Sequence, residues 1–207
     1  TEERYVYYET VAGGYGARAE KDGMEAVQTH FQNTANSPIE ELETEIPLYV
    51  RRYELIQDSA GAGRQRGGLG VRRDMEFYGE DATFSALSDR AKSEPWGLFG
   101  GHSARPAHYV INPDGDDPMP VSSKSTTNLE PGDVASVQTP GGGGYGDPTE
   151  RDPERVLADV VNEKVSIEAA REEYGVVVED GEIDEAATAQ LREELRGEAA
   201  TDGGEQE

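Results

Sequence analysis

The stretch TPGGGGYGDP, residues 139–148, constrains this chain more than any other feature of its sequence. Four glycines in a row between two prolines either offer backbone amides to an anion or run where no side chain fits. Gly-rich runs recur in AGGYGAR (12–18), SAGAGRQRGGLG (59–70) and WGLFGGHSARP (96–106). Neither the first of these nor TPGGGGYGDP is followed by GK[ST], and no βαβ context surrounds them, so a Walker phosphate loop is not written here. Asp147, Glu150 and Asp152 also follow directly and would repel a phosphate. The four glycines therefore read as a sharp, side-chain-free passage from one structural unit to the next.

The flanking patterns define those units. RYVYYETV (4–11), IPLYVRRYELI (46–56), VRRDMEFYG, TFSALS, HYVIN, PVSSKSTTNL and DVASVQT carry strand character, separated by Gly-rich loops and by NPDGDD and LEPGD turns. MEAVQTHFQNTAN places Met24, Val27 and Phe31 at helical spacing, and Pro38 starts a second short helix under IEELE. After residue 146 the pattern turns helical: Thr149, Ser166 and Asp184 are candidate N-caps of three helices, Gly175 is a stop, and GVVVE is a short strand. The expected fold is mixed α+β: an irregular, mostly antiparallel β-rich body over residues 1–146, a helical C-terminal appendage over 147–196, and a disordered acidic tail over 197–207.

Charge narrows the partners. The formal net charge is -24, from 43 acidic and 19 basic residues, of which 15 are Arg and 4 Lys. Such a surface repels nucleic acid and anionic membranes, which need a positive face to displace counterions. Residues 1–146 hold 23 acidic and 13 basic residues, so the acidity is not confined to a tail, and a salt-loving source is expected. The chain lacks cysteine, which excludes thiolate chemistry and disulfides. No apolar run approaches a membrane span, no signal peptide is visible, and a cytoplasmic chain is expected. The opening TEERYVYYETV reads as a strand without lead-in, the expectation for a fragment or a chain whose partner elements lie elsewhere.

Three histidines, His30, His102 and His108, have no metal-ligand spacing, and no serine sits in a GxSxG elbow. His30 stands in QTHFQNTANSPIEELE, where amides, hydroxyls and carboxylates are dense enough to line a pocket in which amides orient a substrate and a His or Glu moves protons. The same residue types also cap turns and coat helices. Arg64 and Arg66 in SAGAGRQRGGLG could hold a carboxylate or phosphate, or stand exposed on a long hairpin loop. The residues alone leave these readings open.

Taken together, YETVAGGYGAR, the run from DGMEAVQTHF to VRRDMEF, WGLFGGHSARP and TPGGGGYGDPTERDPERVLADV resemble the C-terminal part of the hydantoinase B/oxoprolinase family, over about residues 4–179. The resemblance implies an ATP-dependent cyclic-amide hydrolase acting on a hydantoin or 5-oxoproline. An A-type partner subunit would bind ATP and phosphorylate the amide oxygen, and a divalent metal, if used, would be held by the N-terminal half of the B-type protein. It implies His30 and Glu40 as catalytic residues, with Asn33, Asn36, Arg64, Arg66, Gly13, Gly14, Gly16, Gly67 and Gly68 binding substrate. Alternatives are a component of an ATP-dependent ketone carboxylase and a non-catalytic assembly module or truncated inactive copy.

Overall fold

A computed structural model describes residues 5–30 and 32–202, with side chains described to Arg196. Its body is a five-stranded antiparallel sheet built from β1 (Leu48–Leu55), β2 (Val71–Phe77), β4 (His108–Ile111), β5 (Met119–Pro120) and β7 (Val134–Gln138), in the order β1-β2-β7-β4-β5. A hairpin of β3 (Ala82–Leu87) and β6 (Lys124–Leu129) forms a second sheet. The period of two on β2 and β7 aims Met75, Phe77, Ala135 and Val137 at one face. There, with Tyr109 and Ile111, they pack against Phe84, Ala86 and Leu129 of the hairpin. The opposite face of β2 is polar: Arg72 donates to Asp74 at 2.9 and 3.1 Å and to Asp114 at 3.3 Å.

The four Gly-rich runs condense into one glycine core. The amide of Gly142 donates to the Gly68 carbonyl (2.9 Å), that of Gly144 to His102 (3.0 Å), that of Gly61 to Gly142 (2.9 Å), and that of Ala17 to Gly143 (2.9 Å). Extended segments thus lie side by side with backbone against backbone. A Cβ on Gly142 would stand 1.9 Å from the Tyr15 carbonyl oxygen, and one on Gly67 1.7 Å from that of Gly142. No side chain fits at that approach. The amides of Gly141, Gly142 and Gly144 are all engaged internally, so the run is packing and not an anion cradle.

Beyond it the chain turns helical. Asp147 caps a 3-10 turn (Pro148–Glu150), Asp152 caps α2 (Pro153–Val161), and Ser166 caps α3 (Ile167–Tyr174), which ends on Gly175 in the left-handed region at φ 62°. Strands β8 (Val178–Glu179) and β9 (Glu182–Ile183) form a small hairpin. Asp184 Oδ1 then accepts the Ala187 amide at the start of α4 (Glu185–Asp202). Val156, Val165, Ala170, Tyr174, Val176 and Val178 form this unit's core, joined to the glycine core through Ala62.

Several expectations are corrected. The first helix begins at Asp152 and Pro153 and not at Thr149, because the Asp147 carboxylate already takes the Thr149 amide and hydroxyl at 2.8 Å each. MEAVQTHFQNTAN forms no helix among the described residues: Ala26 (φ 50°) and Asn33 (φ 44°) are left-handed, and Thr34 Oγ1 donates to its neighbour Gln32's carbonyl; Phe31 lies outside the described residues. IEELE is helical, as α1 (Ile39–Glu45). Of RYVYYETV, Arg4 lies outside the described residues and 5–11 join no sheet; the Thr10 carbonyl is met by the side chains of Gln28 and Asn36. PVSSKSTTNL splits between two sheets as β5 and β6, and β2 and β3 are neighbours in sequence but not a hairpin. The expected disordered tail is helical to Asp202; 203–207 lie outside the described residues.

Candidate functional site

The loop 28–38, between the glycine core and α1, is held from beneath. Asn36 Nδ2 donates to Glu9 Oε1 (2.6 Å) and to the Thr10 carbonyl (3.2 Å), while its Oδ1 accepts from the Tyr53 hydroxyl (3.1 Å). Gln28 Nε2 donates to the same Thr10 carbonyl at 2.7 Å. The loop closes on itself where the Thr29 amide donates to Gln32 Oε1 at 3.0 Å. Asn36 therefore uses both donors and one acceptor to tie three segments together.

Under this tie lies Arg73, 0% exposed, on the β2 face that also carries Val71 and Met75. Its Nη1 is 2.8 Å from Glu9 Oε1, an ion pair off the hydrogen-bond axis, and its guanidinium sits 4.7 Å from the Tyr53 ring centroid. Among the described residues, Arg73 Nε and Nη2 and Thr29 Oγ1 have no hydrogen-bond partner, and the Nη1 contact with Glu9 lacks hydrogen-bond geometry. Burial, then the Glu9 carboxylate beside it, pushes the Tyr7 hydroxyl well above the usual tyrosine range. Buried polar atoms this incompletely paired are costly.

The structure brings together some of the sequence-derived candidates and separates others. Asn36 is in the tie. His30 and Asn33 are exposed on the loop that it fixes, and Glu40 is exposed in the first turn of α1. Gly13, Gly14, Gly67 and Gly68 are in the glycine core, the Gly14 amide donating to the Pro140 carbonyl at 3.0 Å and the Gly68 amide to that of Tyr15 at 2.8 Å; Gly16 is exposed at its edge. Arg64 is exposed and donates to the Ala19 carbonyl at 3.3 Å.

Arg66 points the other way, into a buried ionic cluster. It donates to Glu25 (2.8 Å), to both oxygens of Asp159 (3.2 and 3.3 Å) and to the Gly67 carbonyl (2.5 Å). Arg151 donates to both oxygens of Asp22 at 2.9 Å and to Asp159 at 2.7 Å, and Arg155 and Lys164 complete the cluster through Asp22 and Glu25. Burial alone would raise the Asp22 carboxyl; the Arg151 hydrogen bonds and charge outweigh it and hold that carboxyl below its ordinary range. Arg66 is thus occupied by the protein's own carboxylates, and it clamps the body to the helices.

Among the described residues, no group of three or more His, Cys, Asp and Glu could hold a metal ion, and no helix is long and apolar enough to cross a membrane. The amides of Gly14, Gly61, Gly67, Gly68, Gly141, Gly142 and Gly144 all donate to backbone carbonyls of the protein itself.

These features define a mixed α+β unit with a glycine-rich backbone core and a polar loop fixed over a buried arginine. The family model for hydantoinase B/oxoprolinase matches residues 1–148, and the chain belongs to that family. It is 38% identical to the B-type component of a putative D-/L-hydantoinase from a Pseudomonas species, over 92% of this chain and 33% of that protein. Its fold matches the crystal structure of the ATP-dependent caprolactamase from Pseudomonas jessenii (TM-score 0.78, 34% identity, 88% of this chain, 33% of that one). It also matches the nucleotide-free structure of acetone carboxylase (TM-score 0.78, 25% identity, 92% of this chain, 30% of that one). The chain spans about a third of the length of these relatives, as a C-terminal piece.

Proposed function

We propose that the chain is the C-terminal portion of a B-type subunit that works with an ATP-binding A-type partner in the hydrolytic opening of a cyclic amide such as a hydantoin or 5-oxoproline. The observation that carries this reading is the loop 28–38: Asn36 fixes its backbone to Glu9, Thr10 and Tyr53, so that the exposed His30 and Asn33 stand on a rigid support, ready to meet a substrate enclosed by the rest of the subunit. In this reading Asn36 is a positioning residue, Arg73 and Glu9 anchor it, His30 carries a proton, and Asn33 orients a carbonyl. Glu40 is the second proton-carrying candidate, and Arg64 is the cation still open to an anionic group. ATP is bound by the partner and supplies the phosphoryl group that makes a resonance-stabilised amide carbon attackable by water; any divalent metal belongs to the N-terminal portion.

Ring-amide substrates are favoured over ketones because the lactam-opening relative is nearer in sequence than the acetone carboxylase at the same TM-score. The test is reassembly with the N-terminal portion and an A-type partner, followed by assay of substrate-dependent ATP hydrolysis. The expected result is ATP turnover that requires all parts and a hydantoin or 5-oxoproline. Turnover with acetone and with no cyclic amide would assign the ketone reaction instead, and assembly without turnover on any substrate would favour a non-catalytic module.

A further inference from the structure

Residues 6–11, VYYETV, are aromatic and β-branched for the most part, the composition of a strand, and they show a strand's alternation. Val6 and Tyr8 are 93% and 87% exposed. The Tyr7 hydroxyl is turned inward, and the Glu9 carboxylate is buried against Arg73. Val11 then joins Met75, Phe84, Ala86 and Val137 in one core cluster, and the Ala12 carbonyl accepts from Thr139 Oγ1 at 2.9 Å. The segment is therefore anchored on the main-sheet face that carries Arg73 and Met75, the face that the β3–β6 hairpin also covers.

Its side chains are held, but its backbone is not. Among the described residues, no amide of 6–11 donates a hydrogen bond, and of the carbonyls only that of Thr10 accepts, from Gln28 and Asn36. Backbone groups left in this state along a strand-forming segment are a template for another strand. The two outward side chains, a valine and a tyrosine, call for an apolar cover in addition to hydrogen bonds. The chain spans 33% of the hydantoinase component that it resembles, so in that protein most of the subunit lies outside the matched region.

We infer that residues 6–11 are the docking edge for the N-terminal portion of the same subunit, which adds a strand to them through backbone hydrogen bonds and covers Val6 and Tyr8 with apolar side chains. This rests on the reading of the chain as the C-terminal portion of a B-type subunit and says where the other portion joins it. A strand of that portion is favoured over a second copy of this chain, because two chains of net charge -24 repel each other. Pairing along 6–11 also holds Glu9 in place, and with it Asn36, whose Nδ2 donates to Glu9 Oε1. The docked strand thus supports the loop 28–38 from its far side.

Amide hydrogen exchange of the full chain, alone and mixed with the N-terminal portion, tests this without recourse to activity. In the chain alone the amides of 6–11 should exchange rapidly, and on association they should slow by roughly tenfold or more. Replacing both outward side chains, Val6→Lys with Tyr8→Lys, should weaken association by about tenfold or more. Both positions are exposed, so the variant should keep the wild-type melting temperature, and Val161→Lys, at an exposed position on α2, should leave the affinity unchanged. Association without protection of 6–11, or with affinity unchanged in the double variant, would overturn this inference alone. No association at all would overturn it together with the reading on which it rests. Protection of 6–11 in the chain alone that rises with concentration would assign the edge to a second copy and overturn it as well.

Discussion

Arg66 and Arg73 show how little a residue's type says about its task. Both are arginines within the β-rich body, yet one is enclosed by Glu25 and Asp159 and the other lies under Asn36 with its guanidinium nitrogens short of hydrogen bonds. Asp22 is the residue whose removal should be felt most in the ionic cluster, since it serves Arg151 and Arg155 and also accepts the Arg66 amide at 2.8 Å. Asp22→Asn leaves the buried Arg151 with Asp159 alone, a carboxylate that it shares with Arg66, a change worth up to about 3–5 kcal/mol. At about 2–4 °C per kcal/mol for a chain of this size, a fall in melting temperature of roughly 6–20 °C at neutral pH is expected. The pH dependence follows from the same pair. The folded-state pKa of Asp22 is depressed, so its stabilisation is fully present above the ordinary aspartate value of about 3.9 and is lost as pH falls through the lower, folded value. The wild-type melting temperature should therefore drop as pH falls below about 4, and the drop should be shallower in Asp22→Asn. Parallel curves for the two proteins would show that Asp22 is not the linked group.

At the scale of elements, the glycine core carries the structure, and its tolerance is position-specific. Gly142→Ala would put a methyl 1.9 Å from the Tyr15 carbonyl oxygen, with backbone on every side and nothing flexible to yield. Gly16→Ala would meet only the Gly143 carbonyl oxygen at 3.9 Å. The first should cost more than about 4 kcal/mol or prevent folding, and the second less than about 1 kcal/mol; chemical denaturation of the two variants checks both. Equal stabilities would mean that the segments are not in backbone contact.

How far the elements could be read from sequence follows the same physics. The strands of the main sheet, the Ser166 cap, the Gly175 stop and the Asp184 cap were legible because local pattern and local chemistry agree there. The stretch 24–36 was not: its helical spacing of Met24, Val27 and Phe31 is outvoted by Thr, Gln and Asn side chains that bond nearby backbone or the N-terminal segment. Nor was the role of the glycines, since a row of glycines does not say which segments will lie against it. Arg73 did leave a signal, because it shares the parity of Val71 and Met75 in a strand whose inward positions are otherwise apolar. Glu9 and Tyr53 left none, since their partnership with it depends on contacts distant in sequence.

Over the whole molecule, charge and incompleteness dominate. A net charge of -24 repels itself, and raising salt from about 0.1 to 1 M shortens the screening length from about 10 to 3 Å. The melting temperature should rise across that range; a value independent of salt would contradict the reading of the surface as adapted to salt. The outer sheet edge, β1, keeps Tyr49, Tyr53 and Leu55 exposed, with Tyr49 stacked on Tyr78 at 4.6 Å between ring centroids. Only one of its amides, that of Val50, is met from α1, by Glu43 at 2.8 Å, among the hydrogen bonds described. Tyr53 belongs to this edge and its hydroxyl donates to Asn36 at 3.1 Å, which ties the edge to the loop 28–38.

The most direct measurement is substrate-dependent ATP hydrolysis by the reassembled complex carrying His30→Ala in this chain. The complex should still assemble, with turnover lower by roughly 10²-fold or more, the contribution of a positioned acid or base. Turnover equal to wild type in an intact complex would contradict this and remove the loop 28–38 from the chemistry.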